Sequence, residues 1–239
     1  MMRIEILTLF PEVCEAVLDH SMLGRARSNG LVQLRARNIR DYTLDKHRRV
    51  DDAPFGGGCG MVMQCQPIAG CLRALCAEWG EKPHVIYLSP QGKPLTQRRA
   101  AELSRLPSLA LLCGHYEGVD ERVLEALVDE EISIGDYVLT GGELPALVLA
   151  DCVVRLLPGV LAGDAAYMGE SHWAGLLEYP QYTRPAVWEG RAVPEVLLNG
   201  NHALQEKWRR EQMIERTRRK RPDLMSMHFE THNESEDIP

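Results

Sequence analysis

The chain has 239 residues, 45% hydrophobic and 26% charged, enough for one large domain or two small ones and too apolar for wholesale disorder. A formal net charge of −7 excludes a generally cationic coat. No apolar run reaches the roughly 18 residues that span a bilayer, and the start, MMRIEILTLFPE, lacks a signal-peptide pattern, so a cytoplasmic protein with no membrane partner is expected.

In chain order, residues 3–10 read as a strand, and Pro11 opens a helix to about Leu23. Asn29-Gly30 marks a turn. Residues 31–39 alternate, with Val32, Leu34 and Ala36 on one side and Gln33, Arg35 and Arg37 on the other, which predicts a strand with a basic face. A long loop, 40–63, holds Gly56-Gly57-Gly58-Cys59-Gly60, and a helix then runs to about Trp79. Residues 84–88 form a short strand leading into Ser89-Pro90-Gln91-Gly92, after which Thr96 can cap a helix. Residues 109–113 are a buried strand ending at Gly114, and Asp120 can cap a helix with an apolar stripe. Residues 132–139 read as another short strand before Thr140-Gly141-Gly142. The helix at 143–157 is apolar nearly all round, so it is expected to be buried. Strands alternating with helices predict an α/β domain with a largely parallel sheet. That domain is expected to close near Pro158-Gly159. A small-residue linker and a final helix, 201–220, follow, and the acidic end after about Met225 is expected to be disordered.

Charge is segregated. Residues 25–49 carry eight Lys or Arg against Asp41 and Asp45, and residues 207–221 carry eight against Glu211 and Glu215. Residues 114–151 reverse this, with ten acids and only Arg122. The basic segments suit either phosphate contacts or solvated faces. Seven cysteines without a CxxC pair read as reduced thiols, and the histidines show no metal spacing. The Gly-rich stretch at 55–60 lacks both the phosphate-loop ending and the GxGxxG fingerprint, which leaves a loop that folds over a substrate. Three Gly- or Pro-containing loops at successive strand ends point to a shared ligand pocket, because parallel sheets bind ligands beyond their carboxyl ends. Arg155, in an apolar helix, is either paired with an acid such as Asp151 or at work in a site.

Several segments, in order, resemble the bacterial tRNA (guanine-N1)-methyltransferases: VDDAPFGGGCGM at 50–61, YLSPQG at 87–92, CGHYEGVDERV at 113–123, SIGDYVLTGGELP at 133–145, LLEYPQYTRP at 176–185 and VLLNGNHA at 196–203. The resemblance implies a trefoil-knotted α/β cofactor-binding domain at 1–161, a flexible linker at 162–175 and a small helical tRNA-binding domain at 176–239. It implies methyl transfer from S-adenosylmethionine to N1 of the guanosine at tRNA position 37, by a homodimer whose sites are shared between subunits. Under the same resemblance the cofactor would be held by Tyr87, Leu88, Ser89, Pro90, Gly114, Ile134, Gly135, Asp136, Tyr137, Val138, Leu139, Gly141 and Gly142. Arg155 matches the catalytic arginine, and Glu170 stands where the family carries a catalytic aspartate. Cys59, Phe55 and His115 also depart from the usual proline, tyrosine and arginine. A divalent ion, Mg²⁺, is implied with Glu117 near it, and Glu178 is implied as a contact to the target base. Arg25, Arg27, Arg48, Arg49, Arg209, Arg210 and Arg218 are the candidate tRNA phosphate contacts. A knotted RNA methyltransferase with another target and a non-catalytic RNA-binding protein of the same fold are the alternatives.

Overall fold

The computed structural model describes residues 1–163, 165–173 and 175–225, so the acidic end lies outside the described residues. Contacts divide the chain into two units, Met1–Leu161 and Ala162–Pro239.

The first unit is built on five parallel strands: β1 (Met2–Thr8), β2 (Val32–Asn38), β5 (His84–Pro94), β6 (Ser108–Cys113) and β7 (Glu130–Ser133). Their order is β2-β1-β6-β5-β7. Every residue of the central strand β6 is buried, as a parallel sheet covered on both faces requires. Side chains alternate between two cores. Ile4, Ile6, Ile86, Leu88, Leu109 and Leu111 join one with α1 (Pro11–Leu18), α2 (Ser21–Ser28), α4 (Gln97–Leu103) and α6 (Glu143–Val154). Leu7, Val85, Tyr87, Ala110 and Leu112 join the other with α3 (Cys65–Trp79) and α5 (Glu121–Leu127). The expected caps form, with Thr96 Oγ1 accepting from the Arg99 amide and Asp120 from the Arg122 amide.

Four expectations are corrected. The helix expected from Pro11 to Leu23 is two helices, broken at His20 and at Ser21, which has φ +56°. Gly24 permits the break, since a Cβ there would run into the Asp19 carbonyl. The long loop at 40–63 holds a 3-10 turn, Ile39–Tyr42, and an antiparallel pair, β3 (Asp51–Asp52) and β4 (Val62–Met63). The strand expected at 132–139 is only β7, Glu130–Ser133, and the rest is a loop. Finally, α6 is not buried all round, because Leu144 and Val148 face outward. The basic face of β2 is also no open cation surface. Arg35 and Arg37 both bond Glu5, itself 1% exposed, and both bond Glu78.

The second unit holds α7 (Ala165–Met168), the hairpin β8 (Val187–Trp188) and β9 (Arg191–Ala192), a 3-10 turn at Glu195–Leu197 and α8 (His202–Lys220). Asn201 caps α8 by accepting from the Leu204 amide. Buried Thr217 accepts from the Leu177 amide at 2.8 Å and donates to the Met213 carbonyl at 2.7 Å, tying the 176–178 segment to α8.

Candidate active site

A cleft of about 360 Å³ opens at the carboxyl ends of β5, β6 and β7. All the expected cofactor residues line it except Asp136, which is exposed: Tyr87, Leu88, Ser89, Pro90, Gly114, Ile134, Gly135, Tyr137, Val138, Leu139, Gly141 and Gly142. The chain reaches this arrangement through broken pairing. Leu88 and Lys93 of β5 both stand opposite Ile132, so Ser89-Pro90-Gln91-Gly92 bulges from the sheet at the mouth. The loop after β7 turns on Ser133, whose hydroxyl donates to the Gly135 carbonyl at 3.0 Å, and folds back until the Gly142 amide donates to the Gly114 carbonyl at 2.9 Å.

Glycine is needed where these loops meet. A Cβ on Gly114 would lie 2.6 Å from the Tyr87 hydroxyl, and one on Gly142 would lie 2.7 Å from Cys113 Cα. Gly135 has φ +151°, open to glycine far more than to other residues. Below the cleft, buried Glu143 accepts from Thr8 Oγ1 at 2.6 Å. Nδ1 of His115 is buried without a hydrogen-bond partner among the described residues. Burial, with Glu131, Cys113 and Glu121 adding to it, pushes the Tyr87 phenol up to about 12.

The lining has no Lys or Arg and includes Glu117, Glu121 and Glu131. Such a wall favours a ligand carrying positive charge. The sequence signal was the ten acids against one base at 114–151, which the motif reading did not connect to the cleft. Volume and glycine-rich walls suit a nucleoside-sized ligand. Glu117 is exposed and its carboxylate lies against Gly60. Among the described residues no group of three or more His, Cys, Asp or Glu could hold a metal ion.

Arg155 closes α6 in the first unit, half-buried, its amide donating to the Asp151 carbonyl at 3.1 Å. Glu170 follows α7 in the second unit, also half-buried, its amide donating to the Tyr167 carbonyl at 3.1 Å. Neither side chain is without a partner. Glu178 accepts from Gln181 Nε2 at 2.6 Å, and its amide donates to Ser171 Oγ. Of the basic candidates, Arg27 bonds Glu15 at 2.6 Å and Asp19 at 2.9 Å, Arg48 pairs with Asp41, Arg49 with Asp45 and Arg209 with Glu206. Arg25, Arg210 and Arg218 are exposed and hold no ion pair among the described residues.

The family model described as tRNA (Guanine-1)-methyltransferase TrmD matches residues 2–227. A Ruminiclostridium cellulolyticum protein named tRNA (guanine-N(1)-)-methyltransferase is 61% identical over 225 residues, covering 94% of this chain and 97% of its own. Proteins of the same name from Alkaliphilus oremlandii and Staphylococcus epidermidis are 54% and 50% identical, over 94% and 98% of this chain and 92% and 95% of theirs.

Proposed function

Since this chain belongs to the tRNA (guanine-N1)-methyltransferase family, we propose that it moves a methyl group from S-adenosylmethionine to N1 of the guanosine at position 37 of tRNA, beside the anticodon. The observation that carries this reading is the acid-lined cleft at the strand ends, whose walls are the segments that resemble the family. When bound, S-adenosylmethionine supplies an electrophilic methyl group on a sulfonium. The chain's own residues do the rest. The glycine-rich loops at 114, 135 and 141–142 hold the nucleoside, and the acidic wall complements the positive charge.

Guanine N1 carries a proton and is a poor nucleophile until it is removed. Glu170 accepts that proton, and Arg155 stabilises the negative charge that gathers on O6. Arg155 belongs to the first unit and Glu170 to the second. The carboxyl beside the base is Glu178. Glu117 would hold a Mg²⁺ ion together with water and substrate oxygens, since among the described residues no group of three or more His, Cys, Asp or Glu could hold a metal ion.

Within the second unit, 162–239, residues 176–239 form the tRNA-binding domain and 162–175, which carries α7, is the linker to it. Val13 and Val17 of α1 and Leu144 and Val148 of α6 are exposed apolar residues of the first unit, and Val17 and Val148 line a hollow of about 650 Å³. A second copy covers these residues in a homodimer with sites shared between subunits; the resemblance to the family further supports a trefoil-knotted first domain, 1–161, and a cytoplasmic protein. Among the described residues no helix is long and apolar enough to cross a membrane.

The test is methyl transfer from labelled S-adenosylmethionine to two unmodified tRNA transcripts, one with guanosine and one with adenosine at position 37. Label on the first alone, mapped to N1, is expected. Cofactor binding without label on either would overturn the reading in favour of a non-catalytic RNA binder. Label elsewhere in the transcripts would favour a knotted methyltransferase with another target.

A further inference from the structure

The β8–β9 hairpin presents a tryptophan to solvent. Its two central residues, Glu189 (φ +50°) and Gly190 (φ +75°), both have the positive φ that type I′ hairpin turns require. That turn sets Trp188 directly opposite Arg191, with the guanidinium carbon 5.9 Å from the indole centroid. Trp188 is nevertheless 56% exposed. A cation–π pair on a tight hairpin is already ordered, so little side-chain entropy is lost when a flat partner stacks on it.

The same unit carries unneutralised cations, since Arg210, Arg218, Arg219 and Lys220 are exposed and hold no ion pair among the described residues. Phosphate-binding charge in the same unit as an exposed, arginine-backed ring fits RNA with an unpaired base better than an apolar protein surface. We propose that Trp188 is a stacking platform for an unpaired base of the RNA substrate, with Arg191 holding the ring in place. This rests on the tRNA reading above and adds a contact that carries no charge of its own.

The test is filter binding of unmodified tRNA to the full chain across a salt series, for wild type, Trp188→Ala, Trp188→Phe and Arg191→Ala. Trp188→Ala should weaken binding about tenfold at every salt concentration without changing the salt slope, because stacking releases no counterions. Trp188→Phe should recover most of that loss. S-adenosylmethionine affinity and single-turnover rate at saturating tRNA should stay at the wild-type value. An active wild type matched in tRNA affinity by Trp188→Ala would overturn the platform alone. So would a Trp188→Ala protein that loses affinity only because sedimentation shows it has changed oligomeric state. A wild type that neither binds nor methylates tRNA would overturn the underlying reading together with the platform.

Discussion

Thr8 Oγ1 donates to Glu143 Oε1 across 2.6 Å in the interior, joining the end of β1 to the first turn of α6 over 135 residues of chain. The same carboxyl crowds Gly141, so the bond also fixes one wall of the cleft. Thr8→Val keeps the shape and removes the donor. It should cost about 1–3 kcal/mol in urea unfolding, the penalty for stranding a buried acceptor. Cofactor affinity should fall with it. Unchanged stability would mean that water replaces the hydroxyl.

Gly142→Ala should damage cofactor binding more than Gly114→Ala. At 142 the new methyl meets backbone, Cys113 Cα at 2.7 Å, whereas at 114 it meets a tyrosine side chain that can turn aside. Calorimetry with S-adenosylhomocysteine should show at least a tenfold loss for Gly142→Ala. Equal, small losses would show that the loops yield easily.

Glu170→Gln should lower the single-turnover methylation rate by roughly 10²–10⁴-fold while leaving tRNA affinity intact. Arg155→Ala should slow chemistry at saturating cofactor and tRNA. If Arg155→Ala changed only tRNA affinity, its role would be phosphate contact.

tRNA affinity should fall steeply with salt, and the arginines should contribute unequally. Arg210→Ala and Arg218→Ala should each flatten the slope by about 1. Arg49→Ala should flatten it less, because Asp45 already neutralises that guanidinium at 3.1 Å. Equal effects would mean that RNA displaces the acid.

Burial pushes the Cys14 and Cys71 thiols up to about 12, with Glu143 adding at Cys14, and holds Cys113 well above its usual range. Between an unfolded thiol value of about 8.5 and those folded values, the unfolded chain binds fewer protons, so stability declines as pH rises. Urea midpoints should drop from pH 8 to 10, and Cys71→Ala should lessen the pH slope despite lowering stability overall. At pH 8 exposed Cys59 should react with a thiol reagent long before these three.

The α/β class was legible because parallel strands buried on both faces show as apolar runs, and residues 109–113 are such a run. Caps at Thr96 and Asp120 were legible because they act within three residues. The loops of the cleft were legible as glycine and proline at strand ends, and their likeness to one family supplied the roles. The break at His20 was not legible. It depends on Gly24 packing on a carbonyl five residues away rather than on a local stop signal.

What the sequence by itself determined was therefore whatever depends on neighbours along the chain: strand and helix periods, caps, turns and the family motifs. Only the tertiary structure decided which charges remain available. Arg35 and Arg37 look like a free basic face in β2 until Glu5 and Glu78 arrive from β1 and α3. Only the tertiary structure joined Thr8 to Glu143 and set three acids around a cleft without Lys or Arg. The reason is range. Backbone preferences act over a few residues, whereas ion pairing and burial act over a few ångströms between residues that the chain alone leaves far apart.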